Sequence, residues 1–352
     1  MNYCYRFPVV KGLQAGRTYY IAMVPLKALS KLFPDDEDFV LPEYRAQRRL
    51  NQARIPEIKK YILNNRESYV FSALAASIDG KYEYISENQD DLGILEIDIN
   101  AKFLINDGQH RKAAILAALK EAPELEDETI SVVFYEDLGL SRSQQMFTDL
   151  NKHAVKTSNS IAELYDSRDL IAVATRNVVS SIPFLEEYVD KEKDNLGKFS
   201  SALFALNNFY VANKKIVGKK TFDSDLEKFL LDYWGTVVEH MLPWQELLRH
   251  ELTKKNLREQ YIASQAVIIK ALGRVGNGIL ESNKNIELTI SRIEKVNWRR
   301  NASIWKGRVI RNDGKMLTST TAVILAANMI KKIIGLELTD DEIFAEQKFE
   351  NQ

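Results

Sequence analysis

Five consecutive residues, Asp107-Gly108-Gln109-His110-Arg111, combine side chains that bind phosphate groups or act on them. An apolar run precedes them and an alanine- and leucine-rich segment follows, which predicts a strand, a tight turn and a helix. The turn then lies at a helix N-terminus, where unpaired N–H groups and the helix dipole favour an anion. Arg111 adds a planar fork of donors, and Gly108 lets a ligand approach the backbone. In the simpler interpretation Asp107 caps the helix, Gly108 makes the turn and Arg111 lies on a solvated face.

The same turn also admits an enzymatic hypothesis. In a nucleotide triphosphatase, Asp107 would hold Mg²⁺ or orient a water molecule, while His110 and Arg111 would stabilise phosphate charge. The sequence contains no GxxxxGK[ST] motif, so a P-loop enzyme is excluded. Besides Asp107, the nearest acids are Glu96 and Asp98. We therefore expect weak turnover at best, and the sequence assigns no metal-ligand set.

A group of arginines lies in the first of two short predicted helices, 43–50 and 57–63, and in the link between them. The group consists of Arg45, Arg48, Arg49 and Arg54. The first three share one helical turn and therefore one face. They contact the phosphates of DNA or of a nucleotide in one interpretation. In the other they form a solvated face or pair with the acidic turn at 35–38.

A second basic segment, residues 295–311, reads KVNWRRNASIWKGRVIR and contains no acidic residue. Its DNA-binding candidates are Arg299, Arg300, Lys306 and Arg308. Basic residues interleaved with Trp298 and Trp305 suit backbone phosphates and, less often, base stacking. Alternatively both tryptophans belong to the core and the arginines only flank them. Residues 303–310 are predicted to form a strand that turns at 312–314 into a short β-hairpin.

Length and composition limit the class of protein. The chain has 352 residues, a formal net charge of −1 and one cysteine, Cys4. The length predicts two domains, and the near-zero charge means that DNA binding must rely on local patches. A single cysteine excludes an internal disulfide and a cysteine-based zinc site. With no signal-peptide pattern and no apolar run of membrane-spanning length, we expect a cytoplasmic protein.

The predicted elements indicate an α+β fold: a mixed-sheet α/β domain over 1–156, then a mainly helical domain over 157–352 that carries the basic hairpin near 303–317. Strands at 5–12 and 17–23 surround a hairpin turn, and a short helix follows at 26–33. A strand at 70–78 is expected to turn at Asp79-Gly80 and pair with the strand at 82–85. The glycines at 273, 276 and 278 predict a loop.

The motifs resemble a known family. DGQHR is the signature of the DGQHR-domain proteins, whose domain is similar to the ParB/sulfiredoxin class of nucleotide-binding folds. The resemblance extends to GRTYYIAMVPL, RAQRRLNQARIPEIKKYILNN, YVFSALAASID, DLNKHAVKTSNSI, IWKGRV and ILAAN. Together these stretches cover most of the chain and resemble the DndB family of DNA phosphorothioate (sulfur) modification proteins.

The resemblance implies a function and further site residues. It implies a DNA-binding negative transcriptional regulator of a sulfur modification system, responsive to ATP or another nucleoside triphosphate with Mg²⁺. The nucleotide would contact residues of the DGQHR turn together with Asn151 and Lys156. Double-stranded operator DNA, the nucleotide and other modification proteins are the expected partners, with a homodimer by analogy with regulators that bind palindromes. The helical half as a scaffold in a modification complex is a further alternative.

Overall fold

The computed structural model describes residues 3–34, 51–87, 91–136, 145–146, 149, 158–197 and 200–351. The chain divides into two compact units, Met1–Val155 and Lys156–Gln352. The first is built on a mixed sheet and the second on helices, so the predicted α+β class is confirmed. Among the described residues, no helix combines the length and the apolar character needed to cross a bilayer.

The first unit contains one seven-stranded sheet with the strand order β4-β5-β1-β2-β7-β3-β6. Its strands are β1 (Cys4–Gln14), β2 (Arg17–Pro25), β3 (Leu74–Asp79), β4 (Tyr82–Ser86), β5 (Leu92–Asp98), β6 (Lys102–Asp107) and β7 (Thr129–Glu136). Its described helices are α1 (Leu29–Leu32), α2 (Ile55–Asn64) and α3 (Gln109–Leu119). In β7, buried residues such as Val132 and Phe134 alternate with partly exposed ones, as expected for a strand with one face on the core.

The predicted hairpin between β3 and β4 is wrong. β3 pairs in parallel with β7 and antiparallel with β6, whereas β4 pairs with β5. The physical reason lies in burial, since Leu74 to Ile78 are all buried while β4 has no buried residue. A strand buried on both faces belongs inside a sheet, and one without a fully buried residue suits an edge. The strand is also shorter than predicted, because residues 70–73 precede it without regular structure.

The second unit consists mainly of helices. They are α4 (Asn159–Tyr165), α5 (Leu170–Ser181), α6 (Pro183–Tyr188), α7 (Leu206–Val217), α8 (Ser224–His240), α9 (Leu242–Leu248), α10 (Lys254–Gln260), α11 (Ala266–Glu281), α12 (Ile286–Ile290), α13 (Thr320–Ile334) and α14 (Asp340–Glu350). A two-residue parallel pair, β8 (Val189–Asp190) with β9 (Phe204–Ala205), accompanies them. The core packs around Trp234, Trp244 and Trp305, each fully buried.

The loop predicted at 273–278 is instead part of α11. Glycine is normally unfavourable inside a helix, but here the missing side chains allow close packing. A Cβ at Gly273 would lie 2.7 Å from the Cα of Ala212 in α7, and one at Gly276 would lie 2.9 Å from Ile216. The glycines therefore let α11 pack closely against α7.

The predicted strand at 303–310 is also different. Residues Ser303–Trp305 form a 3₁₀ turn, and the segment makes only isolated bridges, Lys306 with Ile310 and Ile310 with Met316. The turn at 312–314 does form, closed by the Arg311 N–H donating to the Lys315 carbonyl at 2.9 Å. The basic segment is thus a compact turn-rich structure held by Trp305 in the core.

A histidine at the end of α8 makes the stability of the second unit depend on pH. His240 Nδ1 lies 2.6 Å from Glu294 and Nε2 lies 2.9 Å from Glu287. Burial lowers the pKa of His240, but the two carboxylates outweigh it and the net pKa lies above the ordinary value. Protonation in the folded state therefore adds stability below the unfolded-state pKa, and this is lost as pH rises through the folded pKa.

We expect His240→Gln to lower the free energy of unfolding more at about pH 5.5 than at about pH 8.5, on either side of the histidine range. Urea unfolding of wild type and variant at both pH values measures this difference. A difference in unfolding free energy between wild type and variant that is the same at both pH values, or larger at the higher one, would contradict the assigned charge state of the imidazole.

Candidate functional site

The DGQHR residues occupy the predicted joint between a strand and a helix. β6 ends at Asp107, Gly108 adopts a φ of 102°, and α3 begins at Gln109. The left-handed backbone conformation favours glycine. A side chain would also not fit, since a Cβ on Gly108 would lie 2.3 Å from a Leu74 methyl group. The N-cap position of α3 is Gly108, which has no side chain to cap the helix, and the Asp107 carboxylate pairs with Arg111.

Arg111 is bound within the first unit instead of lying on a solvated face. Its Nη1 donates to the Ser72 carbonyl at 2.6 Å, to Ser72 Oγ at 2.6 Å and to the Ala73 carbonyl at 2.8 Å. Its Nη2 donates to Asp107. The guanidinium therefore fastens the chain before β3 to the start of α3. Sequence reasoning missed Ser72 because this contact joins residues far apart in the chain.

The other side chains of the turn are also engaged. His110 Nε2 accepts the backbone N–H of Asn51 at 2.9 Å, which fixes the chain just before α2. Asp107 is ion-paired with Arg111, and Gln109 Oε1 is buried without a hydrogen-bond partner in the described structure. Among the described residues, the one group of three acidic or histidine side chains close enough to share a metal ion lies elsewhere, at Glu239, His240 and Glu287. The geometry supports a structural clamp, and it adds nothing to the hypothesis of catalysis by Asp107, His110 and Arg111.

Replacing Arg111 by Ala is expected to destabilise the first unit by about 2 kcal/mol, the order lost when charge-assisted hydrogen bonds to backbone acceptors are removed. Arg111→Lys should restore little, because an ammonium group cannot reach both carbonyls and Asp107 as a fork. Hydrogen exchange at residues 72–74 measures the local effect. If lysine restored full protection, charge alone would account for the contact.

Several predicted ligand residues lie outside the described residues, namely Arg45, Arg48, Arg49, Asn151 and Lys156. Arg54 is described, and it is exposed in a 3₁₀ turn immediately before α2. Its binding role stays a prediction.

In the second basic segment, the tryptophans belong to the core. Trp298 is 3% exposed and Trp305 is fully buried, and their rings stack with centroids 5.9 Å apart. Trp305 Nε1 donates to the Asn297 carbonyl at 2.6 Å. Base stacking on either ring is therefore excluded in this conformation, in agreement with the alternative interpretation of the sequence.

With α14 in place, Arg308 is buried and paired and does not contact DNA, so this prediction is corrected for the observed conformation. Its side chain is 8% exposed, and both terminal nitrogens donate to Glu346, at 2.6 and 2.8 Å. The guanidinium also lies 4.4 Å from the centroid of the Phe349 ring. Sequence reasoning missed this burial because Glu346 is 38 residues away.

Four of the five remaining cations of the segment line one surface depression, which we call the basic cleft. It has a volume of about 530 Å³ and is lined by residues of 259–260 and 299–314. Its cations are Arg299, Arg300, Lys306 and Arg311. Glu259 is the one carboxylate among the described residues that line it. Arg311 was not among the sequence-predicted binding residues, although it ends the basic segment.

Neighbouring groups contact three of the four cleft cations, and one of these contacts is an ion pair. The Arg299 guanidinium lies 5.2 Å from the centroid of the Tyr261 ring. Arg300 Nη2 donates to the Gly314 carbonyl at 2.9 Å, which neutralises no charge. Lys306 is exposed, and Arg311 makes a long ion pair of 3.5 Å with Asp313. Such an arrangement suits a polyanion, because phosphate oxygens can accept from several fixed donors at once.

The protein is thus a two-unit α+β protein, with the DGQHR joint in its mixed-sheet unit and the basic cleft in its helical unit. The family model described as "DndB: DNA-sulfur modification-associated" matches residues 7–337. The chain therefore belongs to the DndB family, and the predicted resemblance is confirmed. No curated protein and no solved structure matches the chain.

Proposed function

We propose that the protein is a DNA-binding negative regulator of a DNA sulfur modification system, and that it contacts double-stranded DNA through the basic cleft. The observation that carries the proposal is the convergence of Arg299, Arg300, Lys306 and Arg311 around one depression. Membership of a DNA-sulfur modification-associated family places the protein in a system that acts on DNA. The negative regulatory role rests on the sequence resemblance described above.

The chemistry of the cleft favours backbone phosphates as its ligand. Its cations come from a chain of almost zero net charge, so they form a local patch and not part of a general positive field. Polar side chains of Asn301, Ser303 and Asn312 line the same cleft and offer additional donors to phosphate oxygens. These features support an electrostatic contact that positions the protein on DNA.

Two measurements test the proposal. Fluorescence anisotropy with the DNA upstream of the modification operon should give an affinity whose logarithm falls by roughly 0.9 per phosphate contact for each unit of log salt. A reporter fused to the same DNA should be expressed more strongly when the protein is absent. Affinity independent of salt would contradict phosphate contact, and unchanged reporter expression would contradict negative regulation.

Nucleotide binding stays a prediction from the resemblance. ATP or another nucleoside triphosphate with Mg²⁺ would be tested by calorimetry on the wild-type protein, because Arg111→Ala also removes the clamp on Ser72 and Ala73. Its phosphates are expected at the N-terminus of α3, which begins at Gln109, because the helix dipole there favours an anion. Measured hydrolysis would be needed before the triphosphatase alternative is favoured.

A further inference from the structure

The C-terminal helix α14 is attached to the second unit through acids. Its two buried residues are Glu342 and Glu346, spaced four apart on one face. Two of its three larger apolar residues are turned outward, with Ile343 42% exposed and Phe344 69% exposed, and the third, Phe349, is partly buried. This is the reverse of an ordinary amphipathic helix, whose buried stripe is apolar.

Five cations from four different parts of the second unit lie on the surface beneath α14. They are Lys215 of α7, Arg274 of α11, Arg308 of the basic segment, and Lys331 and Lys332 of α13. Glu342 accepts from Lys331 at 2.8 Å and from Arg274 at 2.9 Å. Glu346 accepts from Arg308 and Lys332, and Asp341 accepts from Arg274.

The cations beneath α14 outnumber the carboxylates of the helix that lie against them by five to four. Burial and the nearby Arg274 lower the pKa of Lys215, and this outweighs the opposite effect of Asp341 and Glu342. Without α14, these cations would form a cluster with no counter-charge from the helix. A cluster of this kind is the type of surface on which a polyanion is held.

The attachment of α14 depends on ion pairs more than on apolar burial. The attraction between two paired charges is largely cancelled by the free energy needed to desolvate them. Apolar contacts, by contrast, would hold the helix at any salt concentration. Phe349 supplies one contact, against Arg308 and close to Gly307. A competing polyanion can therefore replace the carboxylates of α14 with its own oxygens.

The covered surface adjoins the basic cleft. Arg308 pairs with α14, and Lys306, two residues earlier, lines the cleft. The family match ends at residue 337, three residues before α14 begins. The acidic helix thus lies beyond the part of the chain that matches the family.

We propose that α14 is an autoinhibitory cover: its glutamates occupy a second phosphate-binding surface next to the basic cleft, and DNA displaces the helix to reach it. The inference rests on the proposed function, since the polyanion that displaces α14 is the DNA bound at the cleft. Displacement would extend the contact from the four cations of the cleft to the five beneath α14.

The full-length double variant E342Q/E346Q tests the proposal. Glutamine preserves side-chain size and can still serve in the capping box at Thr339, so the change mainly removes charge. The matched control is E337Q/D340N, which removes two negative charges from exposed positions. We expect E342Q/E346Q to bind DNA about tenfold or more tightly than the control, with a salt slope steeper by roughly 0.9 for each added phosphate contact.

Equal affinity and equal slope in the two variants would overturn the inference. Retention on heparin separates this failure from that of the proposed function, because heparin reports the uncovered cations without requiring DNA binding. Later elution of E342Q/E346Q than of E337Q/D340N is expected even if the wild type binds no DNA, and co-elution would overturn the cover.

If E342Q/E346Q does not fold, hydrogen exchange of the wild-type protein still decides the question. DNA displaces α14 in this account, so amides of 342–350 should exchange faster when DNA is bound, while those of α13 should not. Unchanged or slower exchange in α14 on DNA binding would overturn the inference, because the helix would then stay docked.

Discussion

Removing three cations of the basic cleft is expected to abolish most of the DNA affinity. The variant Arg299→Ala, Arg300→Ala, Lys306→Ala should bind DNA on the order of 100-fold more weakly, since each lost charged contact is worth about 1 kcal/mol. Its salt slope should be smaller by about 2.7, at roughly 0.9 per phosphate. Anisotropy titrations across a salt series measure both quantities, and the weakening should be similar for different DNA sequences.

The control for this prediction is Lys228→Ala. Lys228 is an exposed lysine of α8 that does not line the cleft. Its removal should leave the affinity and the salt slope close to wild type. If Lys228→Ala weakened binding as much per charge as the cleft variant, binding would reflect the overall charge of the protein and not direct contacts at the cleft. The thermal midpoint of the cleft variant should stay near wild type, because Arg299 and Lys306 are exposed.

Unlike the cleft variant, Arg308→Ala is expected to lower the stability of the second unit strongly. It leaves Glu346 buried without its bidentate partner, and breaking a buried pair in this way typically costs about 3–5 kcal/mol. The free energy of unfolding from urea titrations of the second-unit transition measures the effect. Arg308→Met combined with Glu346→Leu should lose less than the two single changes added together, since neither charge is then left unpaired.

The same ion pair predicts a dependence on acid. Burial raises the pKa of Glu346, but hydrogen bonds from Arg308, Lys332 and Asn328 outweigh it and hold the pKa at about 2. The carboxylate therefore contributes stability above its unfolded-state pKa, and this is lost as pH falls through the folded value. The stability gap between wild type and Glu346→Gln should narrow from about pH 6 to about pH 3. A gap that widened on acidification would contradict the assigned ionisation.

Much of the fold is predictable because its signals are local. The β1–β2 hairpin follows from its turn residues, and the joint at Gly108 follows from an apolar run, a glycine and a strong helix former. The pairing of β3 with β7 and β6 is harder to predict from the sequence, because it depends on burial across the whole sheet. The glycines of α11 mislead for the same reason, since only the packed α7 explains them.

The candidate site is predictable in composition but not in arrangement. The basic segment stands out in the sequence, yet the sequence does not separate Arg308, which is buried, from Lys306, which is exposed two residues earlier. That distinction depends on Glu346 in α14. Likewise Arg111 is conspicuous as a donor, but its acceptors at Ser72 and Ala73 depend on tertiary structure.

The most direct test of the central claim is chemical footprinting of lysines in the wild-type protein with and without DNA. Acetylation of Lys306 in the basic cleft would be compared with that of Lys228 by mass spectrometry. Contact between the cleft and phosphates predicts that DNA protects Lys306 several-fold while Lys228 reacts at an unchanged rate. Equal reactivity of Lys306 with and without saturating DNA would contradict the assignment of the cleft as the DNA-contacting surface.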